Sequence, residues 1–166
     1  MTEPFLKKVL FTGYRPEAAI QVIPMLANFF LKGFARDEKF RHHIIEELRA
    51  YLVDQDNPRN GAVCAWLENK LIGAVFIDAS TAETQGARIR WFVVDENYRG
   101  KGIGRQLFER AIDYCKTHEL DRIILKTYKG DPLTPFYERL GFAVFDERGF
   151  DTGRSQIVEQ WFQKVA

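Results

Sequence analysis

The chain is poor in the residues that build metal centres and disulfide frameworks. It has only two cysteines, Cys64 and Cys115, and three histidines. Neither cysteine stands near a second Cys or a His at metal-ligand spacing, so no metal is expected. Cys115 falls on the apolar face of an expected helix and Cys64 in an expected strand, so both read as reduced core thiols. The start, MTEPFLKKVLF, has no unbroken apolar run of signal-peptide length, and no segment is long enough to span a bilayer. The expectation is a cytoplasmic protein with no membrane partner. There is also no surplus of either charge. Twenty-four Lys and Arg against 23 Asp and Glu leave a net charge of +1, spread along the chain. A nucleic-acid partner calls for a more basic chain or a concentrated basic stripe, so none is expected. Repeats, low-complexity stretches and linkers are all missing, and 166 residues read as one domain, 1–166.

Aromatic residues are plentiful: 14 Phe, 6 Tyr and 3 Trp. They predict a well-filled core. Val9 to Tyr14 reads as a first strand, stopped by Arg15-Pro16. A helix follows with Ala19, Ile23, Leu26 and Phe30 on one face; Pro24 either kinks it or begins it, and Gly33 ends it. Asp37 to Leu52 forms a second helix, with Phe40, Ile44, Leu48 and Tyr51 at helical spacing. DQDNPRNG is a turn. Ala62 to Leu67 and Leu71 to Ile77 read as a hairpin across Glu68-Asn69-Lys70. Ala87 to Val94 is a strand, Gly102 to Thr117 a helix and Arg122 to Tyr128 a strand. Leu133 to Leu140 reads as a short helix, and Phe142 to Phe145 and Gln156 to Gln163 as the last two strands. The order β-α-α-β-β-β-α-β-α-β-β places the chain in the α/β (α+β) class. The strand-helix-strand unit from Ala87 to Tyr128 makes its two strands parallel.

The most informative segment is RGKGIG, Arg99 to Gly104. Three glycines, Gly100, Gly102 and Gly104, alternate between a strand and a helix. Glycine permits unusual backbone angles and close approach of a ligand to the main chain. The free N–H groups at the helix start, with the helix dipole, suit a pyrophosphate. Arg99, Lys101 and Arg105 add positive charge at the rim. A dinucleotide G-x-G-x-x-G fails, because the last position is Arg105 or Leu107. The P-loop pattern G-x-x-x-x-G-K-[ST] is absent. The plainer alternative is a tight turn with capping glycines.

RGKGIG resembles the signature [R/Q]-x-x-G-x-[G/A] of GNAT-type N-acetyltransferases, with Arg99, Gly102 and Gly104 in the matching places. VVDENY before it resembles the family's strand end and turn, with Glu96 where Pro is common. PFYERLGF, Pro135 to Phe142, resembles the second signature. Trp91 to Phe142 carries the specific likeness; the part before Val63 matches in outline. The segment is also similar to GNAT domains that occur fused to MarR-type regulators. Gly130 and Leu133 stand where many members carry Asn and Ala, the Asn often touching the pantetheine arm.

The resemblance implies a mixed, mostly antiparallel sheet of six to seven strands with a central splay, flanked by about four helices. It implies acetyl-CoA as acyl-donor cosubstrate and an amine acceptor, with a homodimer as the expected assembly. Phe92 and Val94 would pair through their backbone with the pantetheine arm. Arg99, Gly100, Lys101, Gly102, Ile103, Gly104 and Arg105 would hold the pyrophosphate. A main-chain N–H near Val94 would face the oxyanion, and Tyr137 would be the general acid for the departing thiolate. Asp78, Glu83, Glu147 and Glu159 are the candidate carboxylates for the base. Arg90 is a candidate for an acceptor carboxylate. Ile89, Trp91 and Val93 read as one core face. His42, His43 and His118 read as surface residues. The acceptor pocket is expected from Phe29 to Arg36, with Phe30, Phe34 and Arg36, and from a loop at Asp146 to Arg154. A small-molecule acceptor leads; a protein or peptide acceptor and a non-catalytic acyl-CoA sensor are the alternatives.

Overall fold

Turn chemistry and apolar alternation set the order of elements. The computed structural model describes residues 2–32, 38–53, 57–151 and 156–165. It runs α1 (Thr2–Leu6), β1 (Leu10–Thr12), α2 (Pro16–Lys32), α3 (Glu38–Val53), β2 (Gly61–Leu67), β3 (Lys70–Asp78) and β4 (Ala87–Val94). A one-turn 3-10 helix (Glu96–Tyr98) precedes α4 (Ile103–Thr117), β5 (Arg122–Tyr128), α5 (Thr134–Arg139), β6 (Ala143–Asp151) and β7 (Gln156–Val165). The seven strands form one sheet in the order β1-β2-β3-β4-β5-β7-β6. Among the described strands only β4 and β5 are parallel; every other pair is antiparallel.

Each face of the sheet buries its own apolar set, as strand alternation requires. Val63, Ala65, Ile72, Val75 and Ile77 pack with Ile103, Leu107, Phe108 and Ala111 of α4. Ala62, Cys64, Trp66, Leu71, Ala74 and Phe76 pack with Ala18, Val22 and Leu26 of α2 and Leu48 of α3. Cys64 and Cys115 are both buried, and burial pushes each thiol up to about 12. Among the described residues no helix is long and apolar enough to cross a membrane. No group of three or more His, Cys, Asp or Glu among them is placed to hold a metal ion.

Two differences from the sequence reading have plain causes, and of the two expectations for Pro24 a helix that begins there is set aside. The described residues hold five α-helices rather than about four, the extra one being α1. Five residues are too few to show a period, and α1 is held from outside, by Phe5 stacked 6.2 Å from Tyr98. Pro24 sits inside α2, which runs through it. The expected loop from Asp146 is mostly strand: β6 reaches Asp151 and pairs with β7 at Asp146↔Trp161, Arg148↔Glu159 and Asp151↔Gln156. DERG has no apolar alternation to announce it, and partner strand β7 supplies its backbone pairing. The rest of that loop, and Gly33, Phe34 and Arg36, lie outside the described residues, as does the side chain of Phe30.

Candidate active site

The site begins where two strands part. β4 and β5 pair only at Ala87↔Ile123 and Arg88↔Ile124; beyond that the parallel ladder ends and the strands splay. A bulge in β4 accompanies the splay. Between the pairs Ala74↔Val93 and Phe76↔Arg90, β3 has the single residue Val75 where β4 has Trp91 and Phe92. Trp91 adopts φ +47°, rare for a residue with a side chain. Its surroundings hold it there: Tyr51 at 5.1 Å, Phe76 at 6.0 Å and the Arg90 guanidinium at 4.1 Å from its ring centre.

The extra residue reverses the alternation along β4. Ala87 and Ile89 join the α4-side core, whereas Trp91 and Val93 join the α2/α3-side core. Ile89, Trp91 and Val93 are therefore not one face, which corrects the reading from period 2. The functional result is that Phe92 and Val94 turn to the α4 side. Phe92 meets Phe108 edge-on at 4.7 Å and stacks parallel on Phe136 at 5.8 Å.

A groove of about 1520 Å³ runs from α2 and α3 through the splay to the glycine turn. Phe92, Val94, Arg99, Gly100, Gly102, Ile103, Gly104, Arg105 and Tyr137 all line it. Lys101 does not. Its ammonium sits 5.0 Å from the Phe5 ring and 5.2 Å from that of Tyr98, and donates to the Asn97 carbonyl at 3.2 Å. The α1 helix, missed in the sequence, is what draws it away.

The turn has the geometry of an anion cradle. Gly100 and Gly102 have φ +72° and +82°, the left-handed region that favours glycine. Gly102 caps α4 without any side-chain bond, so the first N–H groups of α4 remain available to an outside acceptor. A Cβ at Gly104 would lie 3.1 Å from Cζ of Phe92, so glycine lets α4 close on β4. Arg99 is oriented by donating Nε–H to the Val94 carbonyl at 3.0 Å and by lying over the Phe29 ring at 5.7 Å. Arg105 pairs with Glu109 at 2.7 Å and shares its charge with that carboxylate.

Tyr137 lies on α5 among Phe108, Phe136 and Phe162, with ring centres 5.6, 5.6 and 6.0 Å away. It is 7% exposed, and its hydroxyl has no hydrogen-bond partner among the described residues. Burial pushes its pKa well above the ordinary phenol value, and the charge of Asp131 adds to the rise.

A glycine-cradled helix start beside a splayed parallel pair narrows the choice of family, and residues 25–142 match the Acetyltransferase (GNAT) family. The chain belongs to this family. It is a GNAT N-acetyltransferase whose acetyl donor is acetyl-CoA. It is 27% identical to a glucosamine 6-phosphate N-acetyltransferase of Arabidopsis thaliana over 128 residues, 73% of this chain and 80% of the relative. Among solved structures, a GCN5-related N-acetyltransferase from Kribbella flavida superposes with a TM-score of 0.79 at 15% identity, covering 97% of this chain and 99% of its own. A putative streptothricin acetyltransferase from Bacillus anthracis str. Ames, solved with acetyl coenzyme A, gives a TM-score of 0.62 at 23% identity, covering 70% of this chain and 68% of its own.

The GNAT groove has a second, more polar end. Of the four candidate bases, only Glu159 lines it. Asp78 is 6% exposed and holds Arg90 at 3.1 Å; Glu83 pairs with Arg59 at 2.5 Å and Glu147 with Lys129 at 3.3 Å. Arg90 is committed to Asp78 and, at 2.9 Å, to Glu47. His43 and Glu47 of α3, Lys126 and Tyr128 also line the groove. Sequence reasoning missed Glu47, although its place three residues after Ile44 marks a polar position flanking the apolar face of α3.

Gly102→Val tests the cradle. A β-branched side chain in the left-handed region is strained by about 1–2 kcal/mol, and it disturbs the first N–H groups of α4. We expect the acetyl-CoA dissociation constant, measured by calorimetry, to rise at least about tenfold, a change of about 1.4 kcal/mol. Unchanged affinity would place the pyrophosphate elsewhere.

Proposed function

We infer that this GNAT enzyme acetylates the amine of a small polar molecule by direct attack in a ternary complex. The observation that carries the reading is the single groove, continuous from the glycine turn through the splay to a wall of closely spaced charges: Glu47, Arg90, Lys126 and Glu159. That wall suits a small acceptor with several polar groups. The likeness to a glucosamine 6-phosphate N-acetyltransferase over 73% of the chain supports it.

On this reading, N–H groups of the cradle and Arg99 hold the pyrophosphate. The free edge of β4 at Phe92 and Val94 pairs with the pantetheine arm, as an added strand pairs with a sheet edge. The neutral amine attacks the thioester carbonyl, a C–N bond forms and the C–S bond breaks. A main-chain N–H near Val94 faces the oxyanion. Tyr137 gives its hydroxyl proton to the departing thiolate, and the proton that the attacking nitrogen loses as the adduct collapses to the amide returns through water to the phenolate. An amine of the lysine type has a pKa of about 10.4, so it must first lose a proton at neutral pH. Glu47 and Glu159 are the carboxylates on the acceptor wall that can receive it, directly or through water.

The test is release of free thiol from acetyl-CoA with a panel of amino acids, polyamines, aminosugars and peptides with free N-termini. Turnover of small amines at least about tenfold above peptides, in kcat/KM, is the expected result. Turnover of peptides alone would make this a peptide acetyltransferase. Acetyl-CoA binding with no thiol release from any acceptor would make it a sensor.

A further inference from the structure

Arg88 is the last residue of β4 paired to β5, and so stands where the two strands begin to part. It alternates with Ala87 and Ile89, which face α4, so its side chain emerges on the opposite face, the same as Arg90. It is half-buried and lines the groove. Its guanidinium carbon lies 5.7 Å from the centre of the Trp161 ring, a contact that restrains the side chain.

What distinguishes Arg88 is the fate of the carboxylates around it. Three are close enough to act on its charge: Asp78, Glu47 and Glu159. Each is engaged with another cation. Asp78 stands directly opposite Arg88 in the β3–β4 register, yet its Oδ2 accepts from Arg90 at 3.1 Å and its Oδ1 from the Ser80 N–H at 3.0 Å. Glu47 accepts from Arg90 at 2.9 Å, and Glu159 holds Lys126 at 2.9 Å. No carboxylate among the described residues lies within ion-pair distance of Arg88 itself. A planar fork of donors, partly desolvated and open to a binding groove, is left without a carboxylate partner among the described residues. Burial, and the nearby charge of Arg90, push its pKa down, as expected of a cation awaiting an anion.

We propose that Arg88 is the specificity anchor for the acceptor, and that the amine acetylated here carries a carboxylate or phosphate group held by this guanidinium. This rests on the small-acceptor reading above. An anion fixed at the mouth of the splay ties the acceptor to the point where the strands open for the thioester, so the amine is positioned by a charge-assisted fork.

Matched pairs of acceptors test it: glucosamine 6-phosphate against glucosamine for the phosphate arm, and amino acids against their amides for the carboxylate arm. The wild-type enzyme should prefer the anionic member of at least one pair by about ten- to a hundredfold in kcat/KM. The pair that responds identifies which anion is recognised. Arg88→Gln should erase that preference mainly through KM, and Arg88→Lys should restore part of it. The thermal shift given by acetyl-CoA should be unchanged in both variants, which separates an anchoring role from a structural one. If neutral and anionic members are turned over equally, or Arg88→Gln keeps the preference, the anchor is wrong and transfer to small amines still stands. If no small amine is turned over by enzyme that binds acetyl-CoA, the small-acceptor reading falls and the anchor falls with it.

Discussion

Tyr137→Phe should lower kcat roughly a hundredfold or more, the usual contribution of a positioned general acid, while leaving acetyl-CoA affinity nearly unchanged. The substitution is clean for a structural reason. The hydroxyl of Tyr137 has no hydrogen-bond partner among the described residues, so removing it breaks no bond. The ring stays packed against Phe108 and Phe162. The melting temperature should therefore change little. The raised pKa also has a consequence for pH. Burial keeps the phenol protonated through neutral and mildly alkaline conditions. The acid form is then present across that range, so the wild-type kcat should not fall as pH rises through the ordinary phenol value near 10. A thiolate formed in the same desolvated place has its own pKa raised by the same cause, which keeps the two groups matched. Stopped-time assays of thiol release from about pH 6 to about pH 11 check both points. If the Phe variant turns over at the wild-type rate across that range, the proton comes from elsewhere.

Phe108→Ala should destabilise the fold severely. Phe108 is fully buried, at 0% exposure, and is the hub of an aromatic cluster. Phe92, Phe136, Tyr137 and Phe142 surround it at 4.7, 5.3, 5.6 and 6.2 Å between ring centres. Truncating a buried Phe to Ala costs about 3–5 kcal/mol, because transfer free energy is lost and a cavity remains. For a chain of this size that is a fall of about 10 °C in Tm. The cluster joins α4 to the bulged strand through Phe92 and to α5 through Tyr137. Loss of the hub should therefore also reduce kcat in whatever fraction stays folded. Thermal unfolding by circular dichroism, with Phe108→Leu as the milder control that keeps most of the apolar volume, tests this. A fall of less than about 3 °C would mean that the neighbours collapse onto the site.

The legible parts of the molecule were those written in local chemistry. The strand bounds Ala87–Val94 and Arg122–Tyr128 coincide with the apolar runs in the sequence. The helix after RGKGIG begins at Ile103, one residue from where the glycines place it. Arg99, Gly100, Gly102, Ile103, Gly104, Arg105 and Tyr137 all line one groove. The illegible parts depend on partners distant in sequence. The bulge at Trp91 is specified by how β4 meets Val75 of β3, and nothing in the run RIRWFVV marks where the alternation reverses. Lys101 has the look of a phosphate-binding lysine beside glycine, but Phe5 and Tyr98 take its ammonium. Arg90 looked available for an acceptor, but Asp78 and Glu47 hold it. Two residues away, Arg88 has no carboxylate within ion-pair distance among the described residues.

The sequence by itself therefore determined the fold class, the family and the donor half of the reaction. The fold class rests on short-range order, on apolar periods and turns; the family and the donor rest on the resemblance of RGKGIG and PFYERLGF to the GNAT signatures, which agrees with glycines where φ must be positive and a helix start left open for an anion. Only the tertiary structure decided which charges remain for the acceptor. Ion pairing is settled between strands and helices that meet after folding, and a side chain's own neighbours in the chain do not reveal whether a carboxylate from elsewhere has already claimed it.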